Sequence, residues 1–104
     1  MKTKNSTVNI LELEPIMFSA LKTIELCCKI ANGENYEITI TSAHDGSHMK
    51  NSRHYVGLAI DIRSHDMSNI TESAKWIDKF LNINSKCFDI VIENDHIHIE
   101  YDKK

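Results

Sequence analysis

At 104 residues the chain has room for one domain with one modest core. A net charge of −3 and a pI near 6.0 argue against nucleic acid and anionic membrane as partners. No run of about 18 apolar residues offers a membrane span.

The three cysteines, Cys27, Cys28 and Cys87, include no Cys-x-x-Cys and make no disulfide framework. They predict a reducing compartment at synthesis, and buried apolar filler rather than metal ligands. The early lysines, Lys2 and Lys4, have no apolar stretch after them, so no secretory signal is expected and synthesis is expected to be cytoplasmic.

Residues 1–9 are polar and are expected to be loosely held. Pro15 suits a first helical turn, where its missing N–H costs nothing. Met17, Ala20, Leu21, Ile24, Cys27, Cys28 and Ala31 follow at helical spacing. Asn32-Gly33 supplies a stop, so the spacing predicts a helix over about 15–32. Tyr36 to Thr41 alternates and is β-branched, which reads as a strand. Ser42 to Arg53 is polar, contains Asp45-Gly46, and reads as a loop. Leu58 to Arg63 alternates again. Leu58, Ile60 and Ile62 take one face, and Ala59, Asp61 and Arg63 the other. Asn69 with Glu72 is a capping signature for a second helix over about 69–82. Its stripe is Ile70, Ala74, Ile77, Phe80 and Leu81, with Trp76 at the rim of the core.

Phe88 to Glu93 and His96 to Tyr101 are two alternating runs separated by Asn94-Asp95, the pattern of a β-hairpin. If Glu93 pairs with His96, then Val91 pairs with His98 and Asp89 with Glu100. Phe88, Ile90, Ile92, Ile97, Ile99 and Tyr101 then share an apolar face, and Glu93, His96 and His98 share the open one. A slip of one residue would bury both histidines, so the register is well specified. The expected fold is α+β, one antiparallel sheet packed against two helices.

Histidine and carboxylate cluster in two short pieces, His48 to Asp61 and Glu93 to His98. His54 and Asp61 are seven residues apart, which fits a turn leading into a strand rather than one helix face. Gly57 lets the backbone pass close to the site. With His98 from the hairpin, His54 and Asp61 make two nitrogen donors and one oxygen donor, a set that suits catalytic Zn²⁺ with an open fourth position. Water there needs a general base, and Glu93 or Asp95 can serve. His48 and His96 remain as donors to an oxyanion. Any of these histidines taken alone reads as a surface or hydrogen-bonded residue, and Asp61 alone as a turn or cap. His44 and His65 are read as surface residues, Glu100 and Asp102 as solvated charges.

These residues carry a resemblance. Ser52-x-His54-x-x-Gly57-x-Ala59-x-Asp61 resembles the SxHxxGxAxD signature of the zinc D-Ala-D-Ala carboxypeptidase family, which includes phage peptidoglycan endopeptidases. Asp45-Gly46-x-His48, together with the same block, also resembles the N-terminal signalling domain of hedgehog proteins, which shares that fold. The ending Glu93-x-Asp95-His96-Ile97-His98-Ile99-Glu100-Tyr101 is most similar to small phage-encoded members.

The resemblance implies a hedgehog/DD-peptidase-like fold with His54, Asp61 and His98 as zinc ligands. It implies Asp95 as base by the peptidase pattern and Glu93 by the hedgehog-like one; the hairpin geometry ranks Glu93 first. His48 matches a histidine near the metal in the hedgehog-like branch. The family's carboxylate-binding arginine has no counterpart in Ser42-Ala43-His44-Asp45, so an endopeptidase is expected over a D-Ala-D-Ala carboxypeptidase. The expected function is zinc-dependent hydrolysis of amide bonds in peptidoglycan peptides by a monomer. The alternatives are a zinc-stabilised binding module without catalysis, and a structural zinc closed by His48 or His96 as fourth ligand.

Overall fold

Alternating isoleucines along three segments supply one apolar sheet face, and two amphipathic helices cover it. The computed structural model describes residues 1–43 and 57–102. In chain order the elements are β1 (Lys2–Thr3), α1 (Pro15–Asn32), β2 (Thr39–Ser42), β3 (Ala59–Arg63), α2 (Ile70–Leu81), β4 (Phe88–Ile92) and β5 (His96–Tyr101). The strands lie in the order β1-β2-β3-β5-β4. The fold is α+β, as the element pattern predicts.

The sheet is mixed rather than wholly antiparallel. β1 runs parallel to β2, and the other neighbours pair antiparallel. The first residues are the reason. Lys2 and Thr3 pair with Thr39 and Ile40, and Val8 is buried in the core. Strand formation and burial give this segment partners that its polar composition does not advertise. The segment expected to be loosely held thus supplies the edge strand.

The hairpin has the expected register. Val91 is opposite His98, Asp89 opposite Glu100, and the Glu93 N–H donates to the His96 carbonyl at 2.9 Å. β5 also pairs with β3, which sets Asp61 opposite His98 and Arg63 opposite His96. Ile60, Ile62, Ile97 and Ile99 therefore share one face and are completely buried in a single cluster with residues of both helices.

α1 buries Met17, Ala20, Leu21, Ile24, Cys27 and Cys28 of the stripe read from spacing, and leaves Ala31 in its last turn partly exposed. Burial pushes the Cys27 and Cys28 thiols up to about 11 and about 12, so both stay protonated and behave as apolar filler. Gly33 ends the helix at φ +113° with ψ 150°, extended rather than left-handed helical, and its N–H donates to the Lys29 carbonyl. Asn32 then ties the helices together. Its amide donates to the Ser73 hydroxyl at 2.8 Å, and its carbonyl accepts the Asn69 N–H at 2.8 Å.

α2 starts as its signature predicts, with the Asn69 side chain accepting the Glu72 N–H at 3.1 Å. Its buried residues are Ser73, Ala74 and Ile77. Phe80 is not buried in the core stripe as expected: it is 40% exposed and stacks on Trp76 with ring centroids 5.7 Å apart, making a rim to the core. Among the described residues, no helix is long and apolar enough to cross a membrane.

Gly57 has φ +77°, a conformation that favours glycine. An added Cβ would meet the Glu12 carbonyl oxygen at 2.6 Å. The close approach expected at this glycine is thus to the backbone of residues 12–14, sealed by the Glu14 N–H donating to the Gly57 carbonyl at 2.9 Å.

Candidate metal centre

The open face of β3 and β5 collects the chemistry, because alternation sends every second residue there. Asp61, His96 and His98 come together on it. Nδ1 of His98 lies 2.8 Å from Oδ1 of Asp61, directly across the β3–β5 ladder. Nε2 of His98 lies 2.9 Å from Oε1 of Glu100, two residues along the same strand. Nε2 of His96 lies 3.7 Å from the same Asp61 oxygen, and its Nδ1 is 2.7 Å from Oδ1 of Asp95.

The backbone around Asp61 is pinned from both sides. β2 bulges between Ile40 and Ser42, and the Thr41 hydroxyl donates to the Asp61 carbonyl at 3.3 Å. The hairpin turn is anchored to the end of β3 by the Ser64 N–H donating to the Asp95 carbonyl at 3.1 Å. Asp61 has a side chain only 13% exposed, whereas that of Asp95 is 79% exposed. The first can act on a buried partner; the second faces water.

Protons distribute accordingly. The hydrogen bond with Asp61 drives the His98 imidazole up to about 9, burial opposes it, and Glu100 adds to the rise. Without a bound cation, the ring is an imidazolium bridging two carboxylates. The His96 ring beside Asp95 holds that carboxyl below its ordinary range.

Asp61 and His98 supply two donors of the types zinc takes, one oxygen and one nitrogen. Asp61 Oδ1 and His98 Nδ1 converge from neighbouring strands, and the carboxylate behind Nε2 is the outer partner that ligating histidines commonly have. The expected third ligand, His54, lies outside the described residues, as does His48. Glu93 stands at the hairpin end on the histidine face and is exposed. Asp95, and not Glu93, lines an open groove of about 370 Å³ that also contains Asp61, Arg63, His65 and His96. A second groove, of about 520 Å³, reaches His98 and Glu100 from the β4 edge.

Another grouping was missed from sequence. Asp89, Glu100 and Asp102 have carboxylate oxygens within 4.8 Å of one another, and all three residues are partly buried rather than fully solvated. The pairing of Asp89 with Glu100 follows from the hairpin register, which was the available signal. Three carboxylates alone do not identify an ion site.

No family model matches the chain, and no curated protein or solved structure matches it.

Proposed function

We propose that the chain is a zinc-dependent peptidase of the hedgehog/DD-peptidase type that hydrolyses amide bonds in peptidoglycan peptides as an endopeptidase. The observation that carries this reading is the convergence of Asp61 Oδ1 and His98 Nδ1, 2.8 Å apart on the open face of a sheet whose other face is the core. The resemblance of Ser52-x-His54-x-x-Gly57-x-Ala59-x-Asp61 to the peptidase signature supports it.

In this reading His54, Asp61 and His98 hold the ion. When bound, zinc supplies a Lewis acid for the scissile carbonyl and lowers the pKa of water into the neutral range. Asp95 or Glu93 takes the water proton and returns it to the leaving amine. Asp95 shares the Asp61 groove, which favours it over Glu93 as the base. Its hydrogen bond with His96 keeps it ionised, so it can accept a proton. His96 faces the same groove and is available to donate to the developing oxyanion, with His48 as a second donor. Lys4, Arg63 and His65 give the groove basic side chains beside the pair, where an acidic stem peptide can lie.

Digestion of purified peptidoglycan by zinc-loaded protein, read by mass spectrometry, tests this. New free amino termini that vanish with His54→Ala are the expected result. No cleavage by protein holding about one zinc would instead favour a zinc-stabilised binding module.

A further inference from the structure

We propose that Glu100 is a positioning residue for the zinc site: its carboxylate accepts the Nε2–H of His98 and thereby turns the Nδ1 lone pair toward Asp61. The inference rests on the zinc reading above and assigns a role to a residue that the ligand set does not include.

The geometry is specific. Glu100 and His98 are two residues apart on β5 and share its open face, with Nε2 and Oε1 2.9 Å apart. Opposite Glu100 stand Ala59 on β3 and Asp89 on β4. On the far side Nδ1 is 2.8 Å from Asp61 Oδ1. A neutral imidazole carries a single N–H. Carboxylates flank both ring nitrogens, so a metal on the Asp61 side would leave the lone pair on Nδ1 and the single N–H on Nε2, where Glu100 accepts it. That lone pair then faces the oxygen of Asp61, another acceptor. Two acceptors at this distance repel unless a cation lies between them. Glu100 thus gives the ring proton a partner while Asp61 and Nδ1 take a metal. An outer carboxylate also raises the basicity of a ligating imidazole, and losing such a partner typically costs about 10–100-fold in metal affinity.

The test compares zinc affinity, by competition with a chromogenic chelator, in wild type, Glu100→Ala, Glu100→Gln and Asp102→Asn. Ring nitrogen NMR of His98 in the zinc-loaded wild type accompanies it. Glu100→Ala should loosen zinc by about 10–100-fold. Glu100→Gln should recover much of that, because its amide oxygen accepts the same N–H without the charge. Asp102→Asn removes a charge from the same acidic group and should lose less than Glu100→Ala. The spectrum should report a protonated Nε2 and a metal-bound Nδ1. The role is overturned by zinc affinity in Glu100→Ala within about twofold of wild type, outside the range expected of an outer partner. It is equally overturned by Glu100→Gln no better than Ala, or by Asp102→Asn as damaging as Ala, since charge alone would then account for the loss. Ligation through Nε2 in the wild-type spectrum overturns it even if a variant fails to fold. Wild type that binds no zinc removes the zinc reading itself; zinc-binding wild type with an unaffected Glu100→Ala removes only the role of Glu100.

Discussion

The two faces of the β3–β5 ribbon are made by the same residues of chain, taken alternately, and they differ completely. On one face Ile60, Ile62, Ile97 and Ile99 are fully buried and carry no polar side-chain atom. On the other, Asp61, His96 and His98 keep 13%, 28% and 20% of their side chains exposed, and both histidines are within ion-pair reach of Asp61. Stability and chemistry are interleaved at single-residue spacing, and one hydrogen-bond ladder fixes both. A register slip would destroy both at once, yet substitutions on each face should act separately. The core face should control whether the ribbon exists, and the open face what it holds.

The largest expected effect is on the core face. Ile99→Ala should cost about 2–5 kcal/mol through lost burial and the cavity left behind, read by urea unfolding. A cost no greater than that of a surface substitution would break the comparison. Next comes the open face acting on stability through a proton. In protein stripped of any metal, His98 holds its proton up to about 9, against an ordinary value of 6.5. A raised folded-state pKa stabilises the fold fully below about 6.5, and that contribution is lost as pH rises through about 9. Thermal unfolding of stripped protein should therefore weaken across that window, and Asp61→Asn should flatten the slope; an identical slope in the variant would contradict the assignment.

A smaller effect lies outside the ribbon. Gly57→Ala places a Cβ against the Glu12 carbonyl at φ +77° and should destabilise by about 1–3 kcal/mol. The smallest is Asn69→Ala, which removes the cap on the Glu72 N–H and should cost about 1 kcal/mol while leaving metal affinity unchanged. Denaturant midpoints check both.

Much of this arrangement was legible in the residues, and the exceptions have causes. The hairpin register could be read because Ile97 and Ile99 alternate with His96 and His98, and only one phase buries the isoleucines. The α1 stripe could be read because all its buried positions are apolar. β1 could not, because Lys2-Thr3 has no apolar alternation and gains its order from pairing with a distant strand. Ser73 was invisible for a different reason: a buried hydroxyl looks like a surface one until Asn32 and the Asn69 carbonyl are known to satisfy it.

At the candidate site the alternation told which side chains share a face, and this brought Asp61 and His98 together. It did not tell that Glu100 reaches back to His98, since alternation sets the face of a long side chain and not its rotamer. Nor did it show that Gly57 packs against residues 12–14, because that partner segment is remote in sequence.

The most direct test of the division between the two faces is zinc content. Wild type, Asp61→Ala and His98→Ala would be dialysed against zinc and analysed by elemental mass spectrometry, with cooperative melting recorded on the same samples. The expected result is about one zinc per chain in wild type, little in either variant, and cooperative melting in all three. Wild type without zinc, or variants that retain it, would contradict the proposal that Asp61 and His98 on the open face hold the metal.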